Sequence, residues 1–204
     1  MDKITRAIIS LTDKSGIENF ARQLTELGIE ILSTGGTAKK MRDNGIEVID
    51  VADYTGFPEM LDGRVKTLHP RIHGGILAQR HNPAHLAQMV EHDLKPIDLI
   101  VVNLYAFDKA TAAADCTVPN AIENIDIGGP TMLRAAAKNY HDVTVIVDPD
   151  DYSGVITEIK ETGNTTLKTR FRLACKVFDL TSRYDTAIAK WLNNVDADND
   201  PDLN

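Results

Sequence analysis

Apolar residues along the 204-residue chain form short aliphatic runs, alternating with stretches in which they recur every three or four positions. Residues 6–11 (RAIISL) are the first run; behind them Ile17, Phe20, Ala21, Leu24 and Leu27 keep helical spacing, which predicts a strand and then a helix. Gly28 ends that helix, and the pattern repeats as strand 29–33, turn 34–37, helix 38–44 and strand 47–51. From 52 to 75 the periodicity lapses among Gly56, Pro58, Gly63, Pro70, Gly74 and Gly75. An irregular run of that length inside a compact domain marks a functional segment. Regularity returns with a short strand at 76–78, a helix near 83–92 and the apolar strand 99–105 (LIVVNLY). A helix opening at Pro130, a strand at 143–147 (VTVIV) and a helix from about 150 to 162 follow.

Residues 166–194 contain neither Gly nor Pro. Leu167, Phe171, Ala174, Phe178, Thr181, Ile188 and Trp191 sit there at intervals of three, four or seven. One long helix or two abutting ones are expected, packed on the sheet or on another subunit. The alternation as a whole predicts an α/β fold: a doubly wound, mostly parallel sheet with extra C-terminal helices. The length fits one domain over 1–195, followed by an acidic, flexible tail at 196–204.

Charge narrows the function classes. With 22 Lys+Arg against 30 Asp+Glu the chain carries −8, which argues against nucleic acid as a partner, since phosphate neutralisation needs a basic surface. No apolar run approaches the ~20 residues that span a bilayer, and the N-terminus lacks a signal-type apolar core, so no membrane association is expected. Cys116 and Cys175 are far apart in sequence and show no metal-ligand spacing, which points away from disulfides and zinc and towards a reducing cytoplasm.

The basic residues are nevertheless concentrated. Between Asp62 and Glu91 no acidic residue occurs, while Arg64, Lys66, Arg71 and Arg80 fall in that interval together with His69, His73, His81 and His85. Two readings compete: a site for a small anion in an otherwise acidic protein, or a solvated loop. His81, His85 and His92 have helix-compatible spacing, but Pro83 interrupts them and no HExxH pattern accompanies them, so no metal is expected.

No GxGxxG fingerprint is present. Ser33-Thr34-Gly35-Gly36-Thr37, between a predicted strand and helix, is the candidate phosphate loop; its alternative is a turn that only needs glycine geometry. Lys14 adds a cation on the same carboxyl edge, where open α/β sheets bind ligands. Asp126-Ile127-Gly128-Gly129-Pro130 is a second turn, with Pro130 expected at the first helical position. Asp126 reads as a general base or a helix cap, and Lys138 as a functional cation or a favourable charge at a helix C-terminus. Tyr105 and Asn103 have bland alternatives as an edge aromatic and a turn residue.

Taken together, LTDKSG (11–16), STGGTA (33–38), DYTGFPEMLDGRVKTLHPRIHGGILA (53–78), VVNLYAF (101–107) and ENIDIGGPTMLRAAAKN (123–139) resemble the IMP cyclohydrolase domain of the bifunctional purine-biosynthesis family. The resemblance runs from about Arg6 to Trp191. It implies a methylglyoxal-synthase-like fold and closure of 5-formamidoimidazole-4-carboxamide ribonucleotide, a purine nucleotide monophosphate precursor, to IMP with loss of water and without cofactors. Carried over by position, Ser10, Thr12, Lys14 and the Ser33–Thr37 turn would hold phosphate and ribose. Arg64, Thr67, Asn103, Ile127, Gly128 and Gly129 would surround the base, and Lys66, Tyr105, Asp126 and Lys138 match the family's catalytic positions. The family commonly has Pro after the tyrosine of NLY, where Ala106 stands here. A homodimer is implied, as is a transformylase partner, because the family's second, folate-dependent domain has no counterpart in these residues. The alternatives are a methylglyoxal synthase-like lyase and a non-catalytic nucleotide-sensing module of the same fold.

Overall fold

The computed structural model describes residues 3–104, 107–113, 115–198, 200 and 202. Its strands are β1 (Arg6–Ser10), β2 (Glu30–Ser33), β3 (Ile49–Asp50), β4 (Leu99–Val102) and β5 (Thr144–Ile146), all parallel, in the order β3-β2-β1-β4-β5. The helices are α1 (Ile17–Glu26), α2 (Gly35–Asp43), α3 (Val51–Thr55), α4 (Pro70–Leu77), α5 (Pro83–Glu91), α6 (Phe107–Ala110), α7 (Val118–Glu123), α8 (Gly128–Lys138), α9 (Tyr152–Thr162) and α10 (Leu167–Leu192). The doubly wound reading therefore holds. β1 lies between β2 and β4, so the chain leaves β1 and β4 in opposite directions and opens a crevice at their carboxyl ends.

Central strands buried on both faces carry continuous apolar runs rather than alternation. Ile8, Ile9, Leu99 and Ile100 are fully inaccessible, and Ile8 is in register with Leu32 on one side and Ile100 on the other. α1 turns Ile17, Phe20, Ala21 and Leu24 inward and stacks Phe20 on Tyr152 of α9, with ring centroids 4.3 Å apart. On another part of the sheet α10 packs against α8 and β5. Its first turn is fixed by the buried Arg170, whose guanidinium donates to the carbonyl oxygens of Tyr140 (2.9 Å) and Thr165.

Several sequence expectations are corrected. Residues 76–78 are not a strand: Ile76 and Leu77 close α4, which starts at Pro70 after His69 Nδ1 accepts the Arg71 N–H. Gly75 sits in that helix because a Cβ there would lie 2.5 Å from the Lys95 carbonyl oxygen, so close packing outweighs the helical cost of glycine. The irregular stretch is accordingly shorter than expected, with α3 before it and α4 after it. The third strand shrinks to two residues as Val51 enters α3. Glycine pairs 35–36 and 128–129 lie inside the first turns of α2 and α8 rather than before them. Pro130 is thus the third residue of α8, where an N–H has no intrahelical acceptor to lose. Residues 167–192 form one continuous helix.

Candidate functional site

A cavity of about 930 Å³ opens at the carboxyl edge of the sheet. Four chain segments wall it: residues 10–14 after β1, the Thr34–Thr37 turn, the 62–68 loop, and 122–132 leading into α8, with Asn103 from the end of β4. Segments more than a hundred residues apart in sequence meet because β1, β2 and β4 end side by side.

At one end of the cavity α2 presents its N-terminus. Thr34 is its extended cap residue, Gly35 adopts φ +48°, and the first N–H groups of a helix have no intrahelical acceptor. Lys14 lies over this turn, since a Cβ on Gly36 would come within 3.9 Å of Lys14 Cε. The Thr37 hydroxyl accepts the Leu11 N–H (3.0 Å) and donates to the Leu11 carbonyl (2.9 Å), which locks the turn to the end of β1. Ser33 is buried with its hydroxyl donating to the Ile9 carbonyl at 2.6 Å, and it does not line the cavity. Asn103 braces the crevice: its Oδ1 accepts the N–H groups of Thr12 (2.7 Å) and Asp13 (3.2 Å), and its Nδ2 donates to the Asp13 carbonyl (2.7 Å).

The other end holds a carboxylate and a lysine. Asp126 Oδ1 accepts the Gly129 N–H at 2.9 Å, so this residue does cap α8 although it precedes the formal cap position. Gly129 is required there, because a Cβ would fall 2.5 Å from Asp126 Oδ2 and 2.9 Å from Leu104 Cδ2. Burial pushes the Asp126 carboxyl above the ordinary aspartate value, with the Gly129 N–H and the Lys66 charge acting in the opposite direction. A half-buried acid with a raised pKa and a cation nearby suits proton transfer. Lys66 Nζ lies 3.7 Å from Glu59 Oε1, and Thr67 is buried with its hydroxyl against Gly128.

Arg64 pairs with Glu123, the end residue of α7, across the cavity. This pairing raises the Arg64 pKa and lowers that of Glu123. Ile122, Ile127 and Leu68 give the same wall an exposed apolar surface suited to a flat ring.

The structure thus brings Ser10, Thr12, Lys14, Thr34–Thr37, Arg64, Lys66, Thr67, Asn103 and Asp126–Gly129 to one cavity. Lys138 stands exposed at the last residue of α8 and is not part of its lining, and Tyr105 lies outside the described residues. The basic interval divides: Arg64 and Lys66 serve the cavity, whereas Arg71 lies 3.7 Å from Asp93 and Arg80 makes a 2.7 Å ion pair with Asp98. Sequence reasoning missed Glu123, although it opens the ENIDIGG motif, and missed Tyr184 of α10, whose hydroxyl accepts the Asp126 backbone N–H at 2.7 Å. No sequence spacing announces a contact across 58 positions.

Comparison with known proteins identifies the family. Residues 16–131 match the MGS-like domain model, and residues 136–203 match the AICARFT/IMPCHase bienzyme model. The bifunctional purine biosynthesis protein PurH of Acidithiobacillus ferrooxidans (strain ATCC 53993 / BNL-5-31) is 58% identical over 199 residues, 97% of this chain. The chain spans 38% of the length of that relative. The crystal structure of ForH is similar with a TM-score of 0.83 and 38% identity, covering 91% of this chain and 97% of that one.

Proposed function

As the chain belongs to the MGS-like domain family and continues into a segment of the AICARFT/IMPCHase bienzyme type, we propose that it is an IMP cyclohydrolase. The observation that carries this reading is one cavity joining an anion-binding helix N-terminus to the Asp126–Lys66 pair. A nucleotide monophosphate has the matching polarity: its phosphate sits on the Thr34–Thr37 turn beneath Lys14, and its base lies against Ile127 and Arg64.

Ring closure then requires little beyond placement. The carboxamide nitrogen attacks the formyl carbon of the same molecule, forming the N–C bond, and the formyl oxygen departs as water. Asp126 accepts the amide proton as that bond forms. Lys66, with Tyr105, stabilises the oxyanion that develops on the formyl oxygen. The proton taken up by Asp126 and the proton lost from the formamido nitrogen as the ring C=N bond forms convert that oxygen to the leaving water as its C–O bond breaks. No metal or organic cofactor enters this scheme.

On the same reading, residues 1–195 form the catalytic domain and 196–204 an acidic appendage. The formamido substrate is supplied by a transformylase partner. The exposed aromatic side chains of α10, Phe171 and Phe178, support a homodimer, which light scattering would test. The two cysteines are free, which fits a cytoplasmic setting.

The decisive assay incubates the purified chain with 5-formamidoimidazole-4-carboxamide ribonucleotide and follows IMP, with dihydroxyacetone phosphate as a competing substrate. IMP formation above the spontaneous rate is expected. Its absence, or methylglyoxal from the second substrate, would refute the proposal.

A further inference from the structure

α10 lies in the part of the chain that matches the bienzyme model, yet it reaches a wall of the cavity formed within the MGS-like part. Three observations describe that contact. The Tyr184 hydroxyl accepts the Asp126 N–H at 2.7 Å, and the Tyr184 ring is buried. Around it Phe107 of α6, Ala121 of α7 and Ile125 of the cavity lining meet Ile188 and Trp191 of α10 in a small apolar cluster separate from the main core. Phe107 and Trp191 pack edge to face with centroids 6.2 Å apart. α10 is a single helix held at its other end by Arg170 in the main core, so it transmits the position of the sheet to the wall.

We infer that Tyr184 is a positioning residue for ring closure: its hydroxyl, by accepting the Asp126 N–H, fixes where Asp126 stands. This inference rests on the cyclohydrolase reading and deepens it. Asp126 is held twice, by its carboxylate on the Gly129 N–H and by its own N–H on Tyr184. The first contact fixes the side chain relative to α8, and the second fixes the backbone relative to α10. Without the second, the 122–127 segment pivots on α8 alone, and the carboxylate moves towards solvent. The groups facing Asp126 are Lys66 from the loop and Tyr184 from α10; Asp185, on the same helix, acts on the Tyr184 hydroxyl.

The test compares Tyr184→Phe with Trp191→Phe in the full chain. Tyr184→Phe removes one oxygen and leaves the ring, whereas Trp191→Phe loosens the cluster without touching Asp126. Tyr184→Phe is expected to lower kcat by about tenfold with KM within about twofold, because misplacing a catalytic group impairs the transition state more than binding. The acidic limb of its kcat profile is expected to move to lower pH, since the more solvated carboxyl loses part of the burial that raises its pKa. Trp191→Phe should lower the unfolding midpoint and leave the limb in place. The inference is overturned if Tyr184→Phe keeps both kcat and the limb, if it fails to fold, or if Trp191→Phe reproduces the same displacement. Failure of the wild-type chain to form IMP would instead refute the activity itself, so the two failures are distinct.

Discussion

Asp98 and Asp126 occupy opposite edges of one sheet, and their surroundings differ in kind. At the amino edge the buried Asp98 accepts the Thr5 N–H (2.7 Å), the Thr5 hydroxyl (2.9 Å) and the Arg6 N–H (3.0 Å), and it pairs with Arg80. Arg80 in turn donates to the carbonyls of Asp142 and Ile97, so one ion pair ties the starts of β1, β4 and β5 together. At the carboxyl edge the Asp126 side chain receives a single described hydrogen bond, from Gly129, and Lys66 is too far from Glu59 to hydrogen-bond. The carboxylate that holds the fold accepts from several protein groups, although the buried Nε of its partner Arg80 has no hydrogen-bond partner among the described residues. Charge offered to a substrate keeps part of its bonding capacity open, at a cost visible in the raised Asp126 pKa.

The largest effect expected from this contrast is on stability at the amino edge. Arg80→Met should cost about 3 kcal/mol, as removing one partner leaves the other charge buried, while turnover per folded molecule stays unchanged. Urea unfolding measures it, and a loss under ~1 kcal/mol would erase the distinction between the edges. Next, Lys66→Ala and Asp126→Ala should each reduce turnover by about 100-fold, equivalent to about 2.7 kcal/mol, with unfolding midpoints near that of the wild type. Activity retained in both would remove the proposed proton and oxyanion roles.

The smallest effect is the sharpest. Because the folded pKa of Asp126 is raised, the native state holds this proton more tightly than the unfolded chain does, and ionisation weakens the fold as pH rises through the carboxylate range. Asp126→Asn, which keeps an acceptor for Gly129 and discards the charge, should therefore unfold no more easily than the wild type at neutral pH. Its relative stability should increase from acidic to neutral pH in parallel urea titrations. A variant less stable at neutral pH would place Asp126 with Asp98 as a structural charge.

Much of this architecture is legible in the chain itself. The runs at 6–11 and 99–105 foretold β1 and β4, and the unbroken pattern of 166–194 foretold α10, because burial of a strand or a helix face imposes a local period. The mistaken strand at 76–78 has the same origin: three apolar residues carry too little period to separate strand from helix, and the cap at His69 and the packing at Gly75 decided the matter. The site was legible as motifs, with Thr34–Thr37 and Asp126–Gly129 at the cavity and Ser33 and Lys138 outside its lining. The basic interval was legible only as composition. Arg64 and Arg80 are alike in sequence, yet one faces the cavity and the other closes the opposite edge of the sheet.

By itself, then, the sequence determined the alternation of strands and helices, the glycine turns and the identity of the polar motifs, all of which depend on neighbours within a few residues. Only the tertiary structure decided which carboxylate is filled and which is open, which arginine supports and which faces the cavity, and that Tyr184 holds Asp126. Desolvation, ion pairing and hydrogen bonding act through distance in space, and the parallel sheet brings residues 58 to 93 positions apart within 3 Å of one another.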